Sequence, residues 1–144
     1  MVWYKDSEGR HGQNGKKGDQ GEEFVWKWFD AVGVPYEVLN DIKSQVEDKI
    51  DATVNGVPVD IKSNIFKDYH AVELSLMSGK EGWLYTSLAK AIVAVDLDGS
   101  KIYSYRISDM KDHVDKNKAR TKETKHGDTL LWVNVDTDFI VRLK

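Results

Sequence analysis

Residues 50–63, IDATVNGVPVDIKS, are the stretch on which the reading of the fold turns. Two runs of alternating apolar and polar residues flank Asn55-Gly56, the dipeptide best suited to a two-residue type I′ turn. Such a turn fixes the register of a β-hairpin. Val54 is predicted opposite Val57, Thr53 opposite Pro58, Ala52 opposite Val59, Asp51 opposite Asp60 and Ile50 opposite Ile61. Side chains alternate between the two faces of a strand. One face is therefore predicted to carry Ile50, Ala52, Val54, Val57, Val59 and Ile61, and the other Asp51, Asp60 and Lys62. Pro58 is tolerable in this frame because its missing N–H points away from the first strand.

The acidic face asks for a reason. Two carboxylates directly across a ladder have Cβ atoms roughly 4.5–5.5 Å apart, and like charges there destabilise the sheet. A hard divalent cation reverses the sign, because it binds through one or two carboxylates together with phosphate oxygens. Lys62, two residues after Asp60, shares that face and aims an ammonium at the same place. The plain alternative is a solvated, mixed-charge outer face.

Working upstream, residues 19–32 read as a helix with Gly33 placed to end it. Val25, Trp26, Phe29 and Val32 form its apolar stripe, widened by Phe24 and Trp28. Glu22 heads that stripe, whereas Glu23 sits on the polar face and pairs with Lys27 at i,i+4. Asp19-x-x-Glu22 also reads as a capping box, an ordinary structural role for Glu22. Residues 1–18 read as an irregular arm, in which Lys16 and Lys17 lie among glycines without forming a phosphate-binding loop motif. Residues 35–40 suggest a short strand and residues 41–47 a polar connection.

Downstream, residues 70–77 alternate as a strand with Glu73 as a plain outward residue, the alternative being an addition to the acidic cluster. Residues 82–90 suggest a helix, and 91–97 a strand buried on both faces. Residues 101–107 form a further alternating strand, after which Ser108 is placed to cap a helix over 109–116. Residues 130–135 and 139–143 read as closing strands. The expected architecture is α/β: one domain over residues 19–144, with a mixed central β-sheet flanked by helices.

Composition narrows the function classes. The chain has 144 residues, 40% hydrophobic and 31% charged, with five Trp, six Tyr and four Phe, which suits a packed domain rather than a disordered one. No apolar run is long enough to span a membrane, and the opening MVWYKDSEGR lacks the apolar stretch of a secretory signal. An intracellular, cytoplasmic location is expected. There is no cysteine, so disulfides and thiolate metal sites are excluded. His11, His70, His113 and His126 show no zinc-ligand spacing and read as surface or loop residues. Net charge is −3, yet residues 116–125, KNKARTKETK, carry five basic residues against one acid. Lys116, Lys118, Arg120, Lys122 and Lys125 are thus candidates for gripping a nucleic-acid backbone, with Lys16 and Lys17 as a second basic group.

The order helix-borne Glu22, then Asp51, then Asp60-Ile61-Lys62 resembles the PD-(D/E)xK nuclease superfamily, in its restriction-endonuclease-like and Holliday-junction-resolvase-like branches. Ile50 stands where that family's motif has Pro. The resemblance covers roughly residues 18–107 and implies a restriction-endonuclease-like core. It also implies a Mg²⁺-dependent deoxyribonuclease, with Mn²⁺ as substitute. Asp51, Asp60, the Ile61 carbonyl and Glu22 would be metal ligands, and Lys62 would act on the attacking water. DNA would be the partner, and symmetric two-strand cutting would favour a homodimer. A non-catalytic nucleic-acid-binding or assembly protein on the same fold is the alternative, and an unrelated interaction domain a third.

Overall fold

The computed structural model describes residues 13–144, with side chains from residue 18 onward. It opens in helix α1 (Gln13–Val32). Residues 13–18 are therefore helical, not part of an irregular arm; residues 1–12, His11 among them, lie outside the described residues. Asp19 falls inside the helix, so no capping box forms at Asp19-x-x-Glu22. Lys16, Lys17 and Gln20 are good helix formers, and the intervening glycines weaken the helix without stopping it. Gly33, at φ +77°, ends it, and the Val34 N–H closes back on the Phe29 carbonyl at 2.9 Å. Trp26 stacks on Tyr36 with centroids 4.8 Å apart, and the Tyr36 hydroxyl donates to Asp30 at 2.9 Å.

Ten strands follow in two sheets. The first holds β1 (Tyr36–Val38), β2 (Ala52–Val54), β3 (Val57–Lys62), β6 (Ala91–Asp96), β7 (Lys101–Arg106) and β10 (Val141–Arg142), in the order β1-β2-β3-β6-β7-β10. Its β3–β6 pair is parallel and its other pairs are antiparallel, so the sheet is mixed as expected. The second sheet was not foreseen. It is antiparallel throughout, in the order β4-β5-β9-β8, from β4 (Ile65–Phe66), β5 (Tyr69–Ser75), β8 (Lys122–Glu123) and β9 (Thr129–Asn134).

The layers follow from the two-residue period of the strands. Val59, Ile61, Val93 and Val95 turn to α1, where Val25 and Phe29 complete one core. Ile92, Ala94, Tyr103 and Tyr105 turn the other way, against Val72, Leu131 and Val133 of the second sheet and Met110 and Val114 of α3 (Ile107–Lys116). The central sheet is thus covered by a helix on one side and by a small sheet plus a helix on the other.

Several expected elements shift. Residues 41–47 contain one π-helical turn, Lys43–Glu47. The helix expected over 82–90 is only α2 (Trp83–Thr86), because the backbone after Ser87 bonds elsewhere. Ser87 Oγ donates to the Lys49 carbonyl at 3.0 Å, Leu88 N–H to Asp48 at 2.8 Å and Lys90 N–H to Pro58 at 2.8 Å. This last bond places the Pro58 backbone on the β6 side, away from β2 as expected. Helix α3 starts at Ile107 with no side-chain cap from Ser108, since Ile107 enters the core and its N–H bonds the Lys90 carbonyl. Among the described residues no helix is long and apolar enough to cross a membrane.

Candidate functional site

The hairpin has the predicted register near its turn: Val54 faces Val57, Thr53 faces Pro58 and Ala52 faces Val59. The ladder then ends. Asp51 N–H donates to Val59 O at 2.9 Å, so Asp51 crowds the residue already opposite Ala52, as in a β-bulge. Asp51 does not face Asp60 across the ladder, and Ile50 does not face Ile61. Ile50 instead packs in the core on the far side of the sheet, with its N–H on Ser44 O at 2.8 Å. The bulge takes Asp51 off the ladder without parting the two acids, whose carboxyls still interact. Asp51 Oδ2 takes over the freed partner, accepting the Ile61 N–H at 2.7 Å. In an extended strand the N–H and C=O of one residue point the same way. The Ile61 carbonyl therefore faces the same gap beyond the end of the β2 ladder.

Helix α1 brings the third acid. Gly21 lies so close to the end of β3 that a Cβ there would run into Ser63 Oγ, and this approach seats the next residue, Glu22, against Asp51. Glu22 is half-buried, whereas Glu23 is exposed and pairs with Lys27 at 3.0 Å. The helical stripe thus separated the two neighbours correctly. Asp60 is 4% exposed, because the β3 face that carries it lies under the second sheet rather than in solvent.

Burial dominates the electrostatics. It raises the Glu22 carboxyl to about 7, with Asp19 and Asp60 adding repulsion and a hydrogen bond to Asp51 opposing. Burial and then Glu22 raise Asp51 to about 6, against hydrogen bonds from Asp60 and the Ile61 N–H. Burial raises Asp60 to about 8, with Lys62 pulling it down and Asp51 pushing it up. The three carboxyls form a chain, Glu22 against Asp51 and Asp51 against Asp60. They do not converge on one point, and among the described residues no three Asp, Glu or His side chains form a ready metal cage. The donors nevertheless suit a hard cation in kind, being carboxylate and carbonyl oxygens. Asp60 Oδ2 is buried with no hydrogen-bond partner among the described residues, although Lys62 Nζ stands 3.3 Å away. A cation there would meet an oxygen whose present counter-charge is the Lys62 ammonium.

Lys62 is held from two sides, by Asp60 and by the Trp83 ring, whose centroid lies 5.1 Å from Nζ. Behind them is a buried group that the sequence reading had placed at the surface. His70 is 1% exposed, its Nε2 lies 2.6 Å from the Tyr105 hydroxyl, and its ring packs against Trp83 at 5.8 Å. Burial pushes His70 down to about 3, so it is neutral. Tyr105 is pushed well above its ordinary value by burial and then by Asp60. Glu73 is not a plain outward residue either. It is half-buried beside Gly82, accepts the Trp83 backbone N–H, and is raised first by burial while Lys62 opposes. The period of β5 did pair His70 with Val72 on one face, a signal that marks His70 as inward once that face is known to be core. His113 packs on Phe139 with centroids 5.4 Å apart, and His126 is exposed.

The basic residues stand apart from the acids. Lys116 ends α3, Lys118 and Arg120 form a 3₁₀ turn, Lys122 lies in β8 and Lys125 follows it, all exposed. Lys118 pairs locally with Asp115 at 3.6 Å. The side chains of Lys16 and Lys17 lie outside the described residues. A groove of about 720 Å³ between β7, β10 and the start of α3 is lined by none of Glu22, Asp51, Asp60 or Lys62. No family model matches the chain, and no curated protein and no solved structure matches it either.

Proposed function

We propose that the chain is a divalent-cation-dependent nuclease acting on DNA phosphodiester bonds, in the manner implied by its PD-(D/E)xK-like residues on a restriction-endonuclease-like core. One observation carries the reading. Three acids from three separate segments, Asp60 buried and Glu22 and Asp51 half-buried, gather with a lysine beside them where the hairpin ladder ends. Glu22, Asp51, Asp60 and the Ile61 carbonyl would hold Mg²⁺ or Mn²⁺. The bound cation would supply Lewis-acid polarisation of the phosphoryl oxygen and a lower pKa for water.

The chain's own groups have definable tasks. Asp51 anchors the Ile61 backbone, which fixes the direction of the Ile61 carbonyl. Glu22 and Asp60, both raised by burial, would give up any proton they hold in order to serve as ligands. Lys62, steadied by the Trp83 face, would orient the attacking water and stabilise negative charge building on the phosphate. Lys116, Lys118, Arg120, Lys122 and Lys125, with Lys16 and Lys17, would hold the flanking backbone. A homodimer would serve symmetric cutting of two strands.

A second reading is a non-catalytic nucleic-acid-binding or assembly protein on this fold, and the chain-like rather than cage-like arrangement of the acids favours it. One assay divides the two: purified protein with branched, linear and single-stranded DNA, in Mg²⁺ or in EDTA. Cleavage in Mg²⁺ that EDTA abolishes supports the nuclease. Binding without cleavage on every substrate, with no effect of metal on melting, would overturn it.

A further inference from the structure

The second sheet has one face in the core and one in solvent. On the solvent face stand Phe66 of β4, Tyr69 of β5 and Trp132 of β9, which are 58%, 45% and 43% exposed. Phe66 is directly opposite Tyr69, and Trp132 is opposite Ala71, one diagonal step from Tyr69. Leu130, two residues along β9, faces Lys122 of β8. Three exposed rings thus lie on three adjacent strands, and the row continues to a lysine on the fourth. The width is three inter-strand steps of about 4.8 Å, roughly 14 Å in all.

Exposed aromatic side chains on neighbouring strands are costly in water, and a monomer rarely aligns them without a use. The charges at the two ends of this row are both positive. Lys67 Nζ lies 5.4 Å from the Phe66 ring at one end, and Lys122 at the other end belongs to the basic segment 116–125. The acids close by point elsewhere. Glu73 is turned under Gly82 and Trp83, Glu123 pairs with Thr129 on the opposite face, and Asp68 acts on Tyr103 at the inner side. A protein partner would be served by an apolar patch with a mixed polar rim. Flat rings flanked by cations match a chain of unstacked bases and phosphates. Four-stranded sheets use such rings to stack two or three bases.

We propose that this face binds single-stranded nucleic acid by stacking bases on Phe66, Tyr69 and Trp132, with Lys67 and Lys122 on the adjoining phosphates. The surface stands apart from the carboxylate cluster and neither needs cleavage nor reports on it. The test is therefore made in EDTA with the full chain. Fluorescence anisotropy of a labelled oligo(dT) is compared with that of an abasic strand of equal length. Trp132→Ala and Tyr69→Ala should each weaken oligo(dT) binding by roughly five- to a hundred-fold, the range for removing a base–aromatic stack. Trp132→Phe should stay within about three-fold of wild type, because a ring remains. The abasic strand should bind wild type weakly and be indifferent to the aromatic changes. Thermal melting checks the fold, and Tyr69→Ala answers the question should Trp132→Ala fail to fold. Absence of oligo(dT) binding by wild type, equal binding of the abasic strand, or unchanged affinity in folded aromatic variants would each overturn the proposal.

Discussion

The buried acids make a quantitative demand on stability that can be measured without any substrate. Burial first, and mutual repulsion second, raise Glu22, Asp51 and Asp60 to about 7, 6 and 8. In an unfolded chain such groups titrate near 4. At pH 7 the folded cluster keeps about one and a half protons that the unfolded chain has released. The folded state binds more protons, so stability must fall as pH rises. Each such proton is worth about 1.4 kcal/mol per pH unit. Between pH 6.5 and 8 the cation-free protein should lose about 2–3 kcal/mol, or about 10 °C in melting temperature for a chain this long. His70, depressed to about 3, works with the opposite sign, but its contribution is lost only as pH falls below about 6.5. The window above that is therefore left to the acids. Calorimetric melts in EDTA at pH 6.5 and 8 read the slope directly. Asp60→Asn, which removes the group titrating highest, should cut the slope by more than half and stabilise the protein at pH 8. Mg²⁺ at pH 8 should recover the lost stability in wild type but not in the variant. A wild-type melting temperature that moves by less than about 2 °C, or a variant that keeps the full slope, would refute the reasoning.

Glu22→Gln should abolish cleavage while Glu23→Gln leaves it near wild type, read as single-turnover rates; equal rates would undo the division of the two faces of α1. Lys62→Ala should lower the rate by several powers of ten and leave DNA affinity within a few-fold, checked by cleavage and anisotropy on one substrate. The paired change Lys122→Ala and Lys125→Ala should do the reverse, weakening binding and flattening its salt dependence with little effect on the bound-state rate. Tyr105→Phe leaves His70 Nε2 without its 2.6 Å partner and should cost about 1–3 kcal/mol, visible as a lower melting temperature at every pH.

What the sequence made legible was local. Asn55-Gly56 specified the turn and three ladder pairs, because a two-residue loop leaves no freedom of register. The helical stripe separated Glu22 from Glu23, because burial follows a 3.6-residue period. The alternation of β3 put Asp60 and Lys62 on the face away from Val59 and Ile61. What covers that face was not legible. The second sheet joins residues 65–75 to residues 122–134, and nothing in either segment announces the other. That one omission hid the burial of Asp60, His70 and Glu73. The end of the ladder at Asp51 was missed for a different reason. Turn rules fix register near the turn, whereas a bulge several residues away depends on an alternative bond, here Asp51 to the Ile61 N–H.

The ladder's end also changes which cost has to be explained. On a solvated face, Asp51 and Asp60 opposite one another would have cost only a surface repulsion of a fraction of a kcal/mol, easily tolerated. In the folded protein the two carboxyls meet off the ladder, with Glu22 beside Asp51, and the penalty becomes burial of the three acids together, which is far larger. Packing gives no reason for it. The Ile61 N–H needs one acceptor, and the neutral amide of an Asn at position 51 would provide it. Position 60, between the sheets, would be quieter as Thr or Val. Position 22 would cap or solvate equally well as Gln. Three ionisable groups with raised affinity for protons would, under the proposed reading, gain stability if a cation replaced those protons. Asp51→Asn separates the two accounts. If the acid serves only to tie down Ile61, the variant should melt at least as high as wild type and respond to Mg²⁺ as wild type does. If it serves a cation, the variant should gain stability in EDTA at pH 8 and lose the response to Mg²⁺. A Mg²⁺ response equal to wild type would leave Asp51 a structural anchor and remove it from the proposed ligand set.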